Sequence, residues 1–453
     1  MAWGNPGPSP ADEWVKKLET NDPAFRSLHI LSFRRISQPD FQRIFAALGK
    51  NTVLSELYLS GHRLESDTLK VLSDALATNK ALQRLNVGHN EFGSDENASN
   101  FQVLCEGLKR CEGLRNLDLE NKGIGAKCAQ ILGHTLAVNK SLVELNLSRN
   151  QINDVAMEAL CESLGDDVMS LEKLDLSANE ISYKGAASLA KLLVDERVRL
   201  TELVLSENPL GAKGGAEIAK VLGQNQRLSV LKIAFIDQES ADFQVVGDSP
   251  GDAVLSTLAE SLDASSNFGV RSLWMDGCRI SHEGAINLAK IIKHTRLEEI
   301  RLRSNQVGDE GVRYISQAIS EPNSTIRKLE LGENGITTIG FEALLSANAL
   351  EYLGLFNNKV DFANGVPSTE ITVPLANLLT LDLGCNNIST ESFTLACQTL
   401  ISGFAPSLRT LEMGGNLVDG NENVWEEWTE KVKQTREMLN IMWKQNLQNQ
   451  NQP

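Results

Sequence analysis

Residues 171–193 read LEKLDLSANEISYKGAASLAKLL. Leu174 and Leu176 stand two positions apart and so share one face of a short strand, because successive strand side chains point to opposite faces. That face is buried, and Asn179 then falls where the chain turns. Its amide can both donate to and accept from backbone groups that a turn leaves unpaired. From Gly185 and Ala186 onward the apolar period changes from two to that of a helix, with Leu189, Leu192 and Leu193 on one face. The stretch encodes a strand, a turn and a helix, in that order.

The phrase L-x-x-L-x-L-x-x-N-x-(I/L/V) recurs along the chain, starting at Leu54, Leu82, Leu114, Leu142, Leu171, Leu200, Leu228, Val270, Leu297, Ile326, Leu350, Leu378 and Leu408. Successive starts are 28, 32, 28, 29, 29, 28, 42, 27, 29, 24, 28 and 30 residues apart. A period held near 28 to 29 marks a supersecondary unit that buries its apolar face only against its neighbours. Asn90, Asn150, Asn179, Asn208, Asn305, Asn334, Asn358, Asn386 and Asn416 occupy the same place and predict a ladder of stacked amides. His62 holds that place in its own unit, where a polar ring can substitute for the amide. A helix is about 10 Å wide while parallel strands lie about 4.8 Å apart, so stacking one of each per repeat bends the array with the strands inside. The expected fold is an α/β solenoid, a horseshoe with a parallel inner sheet and outer helices.

The period and the phrase, nearly literal from Leu171 to Leu193, resemble the ribonuclease-inhibitor class of leucine-rich repeats, and the resemblance covers roughly Leu54 to Val418. The same class forms the sensor arms of NOD-like receptors, the Ran GTPase-activating proteins and tropomodulin-like actin cappers, which share protein recognition. Ribonuclease inhibitor itself is markedly cysteine-rich, whereas this chain has seven cysteines. The segment Asn121-Lys122-Gly123-Ile124-Gly125 is similar to the N-N-G-L-G segment of Ran GTPase-activating proteins. Lys122 replaces the second asparagine, the one that family uses at the GTPase interface, and the chain ends in NLQNQNQP rather than an acidic tail.

Solenoid ends need polar-faced caps. Residues 1–53 read as an N-terminal tail and capping repeat, with Phe25, Leu28, Ile30, Phe41, Ile44 and Leu48 as a degenerate first unit after a short helix around Trp14, Val15 and Leu18. The repeat array spans 54–420, about thirteen repeats. The 42-residue step after Leu228 carries a polar surplus that reads as a surface loop near 237–252. The unit over 361–377, with Pro367 and Pro374, lacks the residues of a regular helix. Trp425, Trp428, Val432, Leu439 and Trp443 recur at helical spacing and predict a capping helix over 421–445, followed by a polar tail, 446–453.

Composition narrows the function. A net charge of -16 repels phosphate backbones, and no local basic stripe offsets it, so no nucleic-acid partner is expected. The seven scattered cysteines form no C-x-x-C pair, and the six histidines form no H-E-x-x-H, so no metal is expected. There is no G-x-x-x-x-G-K-[S/T] loop and no G-x-S-x-G elbow, hence no cofactor and no catalytic set. No apolar run reaches membrane-spanning length, and the N-terminus has no secretory signature, which places the chain in the cytoplasm, with the nucleus also compatible.

Within each strand phrase the second, fourth and sixth residues after the first leucine face away from the core, with the seventh at the rim. In the first five repeats these are mainly small or polar, such as Glu56, Asn86, Asn116, Asp118, Glu144, Asn146 and Asp175. From the seventh repeat they become Lys232 and Phe235, then Trp274, then Arg301 and Arg303, then Tyr352 and Phe356. Tryptophan, tyrosine and arginine are the types most enriched at interface hot spots. The expected function is a non-enzymatic scaffold that binds a protein partner on the concave face at these seven residues, an acidic segment being read by the arginines. Pairing of Arg301 and Arg303 with Glu299 and Glu330, and covering of the irregular unit by Tyr352 and Phe356, would account for the same residues structurally. Stimulation of a GTPase, or a static role in a cytoskeletal or ciliary assembly, are the alternative functions.

Overall fold

A computed structural model describes residues 10–88, 90–93, 95–164, 170–236, 249–262, 267–362, 373–416 and 421–444. The chain forms two compact units, Met1–Leu210 and Gly211–Pro453. In the first unit, strands β1 to β7 are Ser27–His29, Glu56–Tyr58, Arg84–Asn86, Asn116–Asp118, Glu144–Asn146, Lys173–Asp175 and Glu202–Val204. They alternate with helices α1 to α7, Pro10–Glu19, Gln38–Leu48, Ser66–Thr78, Asp95–Lys109, Ala126–Val138, Asp154–Leu164 and Tyr183–Leu193. Each strand is parallel to the next and in constant register, so that Leu28, Leu57, Leu85, Leu117, Leu145, Leu174 and Leu203 form one continuous buried row.

The second unit repeats the design. Strands β8 to β15 are Val230–Lys232, Ser272–Trp274, Glu299–Arg301, Lys328–Glu330, Tyr352–Gly354, Thr380–Asp382, Thr410–Glu412 and Asn440–Met442. Its helices α8 to α14 are Gly211–Leu222, Pro250–Ser261, His282–His294, Gly308–Ile319, Thr338–Leu344, Thr390–Ile401 and Glu422–Thr435. Leu231, Leu273, Ile300, Leu329, Leu353, Leu381, Leu411 and Ile441 are the corresponding buried row. Helices α1 to α7 pack side by side in turn, as do α8 to α12 and α13 with α14, through small and aliphatic residues such as Gly185, Ala186 and Leu189. The expected α/β leucine-rich-repeat solenoid is the observed fold.

The ladder asparagines are buried and multiply bonded. Asn150 donates to the carbonyls of Leu119 in the previous repeat and of Leu147 in its own, each at 2.9 Å, and accepts from the amides of Lys122 and Ile124 at 2.8 and 3.0 Å. Asn179, Asn305, Asn334, Asn358 and Asn386 donate in the same way. The residue before the ladder position adopts a left-handed backbone in unit after unit: Asn121, Arg149, Ala178, Glu207, Phe235, Ser304, Glu333, Asn357 and Cys385 have φ between 52° and 60°, and Gly277 and Gly415 have φ of 63° and 80°. A non-glycine residue in that region costs roughly 1 kcal/mol, which the ladder's amide bonds offset. At the substituted positions the ring of His62 lies 3.0 Å from the Leu31 carbonyl, and Cys278 Sγ lies 3.2 Å from the Ile233 carbonyl. Lys122 is buried and donates its ammonium to the Glu120 carbonyl, and burial lowers its pKa.

The ends carry one strand each beyond the repeats visible in sequence. β1 lies in the capping segment 1–53 and β15 in the segment 421–445. There α14 stops at Thr435, so Leu439 and Trp443 lie outside it. The chain then returns to the sheet, with the Asn440 amide on the Arg409 carbonyl and the Met413 amide on the Met442 carbonyl. Trp425 stacks on Phe393 at 3.8 Å and closes the core. Of the loop expected near 237–252, residues 237–248 lie outside the described residues, and Ser249 caps α9 by accepting from the Asp252 amide. Of 361–377, residues 363–372 lie outside them.

Replacing Asn150 with alanine strands the amides of Lys122 and Ile124 and the carbonyl of Leu119 and is expected to destabilise the chain by about 3 kcal/mol. Lys122→Asn, which swaps a buried ammonium for the ladder amide, is expected to stabilise it by about 1 kcal/mol. Urea unfolding midpoints check both, and the two shifts must have opposite signs.

Candidate protein-interaction face

Alternation along strands such as β8, β10 and β11 buries the central residue and leaves its neighbours partly exposed on the other face of the sheet. Parallel register then lines up Lys232, Trp274, Arg301, Glu330, Gly354, Asp382 and Glu412, one per strand, across the second unit. Neighbouring members are about 4.8 Å apart by strand spacing, close enough for long side chains to stack.

Trp274 is sandwiched between two cations. Lys232 Nζ lies 4.4 Å from the indole ring centre and Arg301 Cζ lies 4.1 Å from it. The indole N–H donates to Ser272 at 2.9 Å, and Ser272 donates to Glu299 at 2.9 Å, which fixes the ring plane. Phe235, in the left-handed rim position, is 45% exposed and lies against Gly277, where a Cβ would collide with the phenyl ring.

A second group forms around Arg303 and Phe356, whose guanidinium and ring centre are 4.9 Å apart. Arg303 donates to Glu333 at 2.7 and 3.1 Å, and this hydrogen bonding holds the Glu333 carboxyl below its usual range. Asp276 joins the two groups by accepting the Arg303 amide at 2.7 Å and facing Arg301 Nη2 at 3.6 Å. Burial raises the Asp276 pKa despite these partners. Tyr352 donates its hydroxyl to Glu330 at 2.8 Å, and burial, together with that carboxylate, drives its pKa upward.

The structure therefore brings Lys232, Trp274 and Arg301 into one stack and Arg303 with Phe356 into an adjoining pair, while Phe235 lies against Gly277. Tyr352 stands in register with Lys328 and Thr380 and bonds to Glu330 of the acidic part of the row, not to the aromatic stack. The arginines pair with Asp276 and Glu333, and not with Glu299 and Glu330, which instead receive the hydroxyls of Ser272 and Tyr352. Asp276 and Glu333 were missed in the sequence, although they stand at the sixth and seventh places of their phrases, the same places that supplied Arg303 and Phe235. Arg301 Nε is buried and has no acceptor among the described residues.

Beyond the arginines the row turns acidic. Asp382 is half-buried, and desolvation, with Glu412 and Glu330 nearby, pushes its pKa up to about 6 even though it accepts the Gly384 amide at 2.8 Å. In the first unit the equivalent face is satisfied by its own polar groups. Asp118 accepts from Asn86 and Asn146 at 2.6 and 3.2 Å, and a shallow polar cleft of about 240 Å³ runs past Tyr58, Arg84 and Glu144. No group of side chains with metal-ligating composition occurs among the described residues, and no described helix is long and apolar enough to cross a membrane.

Comparison with known proteins agrees with the repeat. The Leucine Rich repeat family model matches residues 138–161, 169–190, 200–219, 293–316, 323–345 and 375–392. Ribonuclease inhibitor of Sus scrofa is 28% identical over 315 residues, 68% of this chain and 59% of that protein, so the match spans less than two thirds of its length. NACHT, LRR and PYD domains-containing protein 12 of Mus musculus is 28% identical over 312 residues, 67% of this chain and 25% of that protein. Among solved structures, the TLR13-ssRNA13 complex is 18% identical with a TM-score of 0.48, covering 82% of this chain and 44% of that one. An internalin from Listeria monocytogenes is 15% identical with a TM-score of 0.42, covering 95% and 89%. With its strand-turn-helix unit repeated in register and its ladder amides in place, this chain is a leucine-rich-repeat solenoid whose repeats are similar to those of ribonuclease inhibitor.

Proposed function

We propose that the chain is a non-enzymatic scaffold that holds a protein partner on the open sheet face of its second unit, centred on Lys232, Trp274 and Arg301, with Phe235, Arg303, Tyr352 and Phe356 around them. The observation that carries this reading is the cation-aromatic-cation stack at 4.4 and 4.1 Å beside a buried Arg301 Nε that lacks an acceptor. A buried donor left unpaired costs about 1–3 kcal/mol, and a carboxylate of an acidic partner segment would supply the missing acceptor. Trp274 offers a large preordered apolar area at little entropic cost. A protein fits better than a nucleic acid, since the chain carries a net charge of -16. The cytoplasm is the compartment that suits seven free thiols.

The acidic half of the row supports the same reading. Keeping Asp382 ionised at neutral pH weakens the fold, and natural chains tend to retain such destabilising groups where function needs them. A basic group on the partner would relieve that penalty.

Pull-down from cell extract with the whole chain checks the face directly. Trp274→Ala combined with Arg301→Ala is expected to lower recovery of the specific partners at least tenfold, while Glu144→Ala on the first unit leaves it unchanged. Equal recovery with all three proteins would sink the reading. Titration of Asp382 gives a second check. The folded chain holds its proton up to about pH 6 and the unfolded chain only to the ordinary value of 3.8. Stability therefore falls as pH rises through that window and stays lower above it. Asp382→Asn, which still accepts the Gly384 amide, is expected to raise stability by about 1–2 kcal/mol at pH 7.5 and by nothing below pH 4.

A further inference from the structure

The chain is strongly acidic overall, yet the loop between β1 and α2 reads Leu31-Ser32-Phe33-Arg34-Arg35-Ile36-Ser37. Arg34, Arg35 and Ser37 are exposed, and Phe33 is 74% exposed. Neither guanidinium has a carboxylate within ion-pair distance among the described residues, although the chain holds 59 acidic residues. Within the loop the backbone makes one turn bond, from the Arg34 amide to the Leu31 carbonyl. The loop is anchored at one end, where His62 meets the Leu31 carbonyl, and at the other by Ser37, the cap of α2.

We propose that Ser37 is a phosphorylation site for a basophilic serine/threonine protein kinase. Such an enzyme reads its substrate by charge pattern, placing carboxylates opposite cationic side chains that precede the acceptor hydroxyl. Arg34 and Arg35 stand three and two residues before Ser37 on the irregular backbone between β1 and α2, without a carboxylate partner among the described residues, Arg34 lying over the Phe33 ring at 5.8 Å. In the transfer, Ser37 Oγ forms a bond to the γ-phosphorus of ATP as the bond to the β–γ bridging oxygen breaks. ADP leaves, and the hydroxyl proton passes to the kinase's base.

The acceptor oxygen is held through one residue, Asp40. Ser37 Oγ accepts the Asp40 amide at 3.3 Å and donates to the Asp40 carboxylate at 2.9 Å. Asp40 is itself neutralised by Arg43 at 3.2 Å, and Arg43 also reaches Asp12 of α1 at 2.8 Å. A phosphate at this cap would meet the amides at the start of α2, which favour an anion, while displacing the Asp40 carboxylate from the cap. Modification would thus place a dianion at the start of α2, in the loop that carries exposed Phe33.

The whole chain, incubated with the catalytic subunit of a basophilic kinase and γ-labelled ATP, is expected to take up close to one phosphate per molecule, mapped to Ser37 by mass spectrometry. Ser37→Ala should take up none at that peptide. Arg34→Ala combined with Arg35→Ala leaves the cap intact and should slow the initial rate at least tenfold. Phosphate confined to other residues, or an unchanged rate in the double arginine variant with circular dichroism like that of the wild type, would overturn the assignment.

Discussion

Most repeats depend on a two-residue turn in which a left-handed residue is followed by a buried asparagine amide. The left-handed residue turns the chain sharply off the strand and exposes carbonyls and amides that neither strand nor helix can use. The asparagine collects them, from its own repeat and the one before, so a locally strained turn becomes a bond between repeats. Neither half suffices alone. Without the amide the turn would bury unpaired groups, and without the turn the amide would have no fixed partners. Parallel register follows, because a slip of one strand would separate every asparagine from its acceptors.

The same turn shapes the candidate site. Phe235 and Glu333 both occupy the left-handed position, which swings their side chains from the rim toward the neighbouring repeat. Phe235 thereby reaches Gly277, and Glu333 reaches Arg303. Gly354 plays a complementary part, since a Cβ there would collide with the Glu330 carboxylate that receives Tyr352. The resulting face is polarised, with cations around an indole on one side and carboxylates on the other. A partner with matching charge would be oriented as well as held.

Much of this was legible in the sequence, because a period of 28 to 29 residues fixes strand, turn and helix at once and alternation separates buried from exposed positions. The leucine rows, the ladder and the exposure of Lys232, Trp274 and Arg301 follow from that counting. The arginines' partners did not, since Asp276 and Glu333 reach them by backbone geometry that spacing cannot express. β1 was legible only as a degenerate unit, and β15 was hidden behind the expected helix over 421–445, because terminal strands pair on one side only and tolerate degenerate phrases. The division at Leu210 and Gly211 left no trace either, for the step from Leu200 to Leu228 is an ordinary 28 residues.

The central claim is that the partner rests on the sheet face of the second unit. A photo-crosslinking amino acid placed at exposed Lys328, one strand beyond Arg301, and at Glu144 on the equivalent face of the first unit tests it most directly in living cells. The account requires a discrete crosslinked partner from position 328 that disappears with Trp274→Ala, and none of that species from position 144. Crosslinking of the same partner from position 144 alone would contradict it.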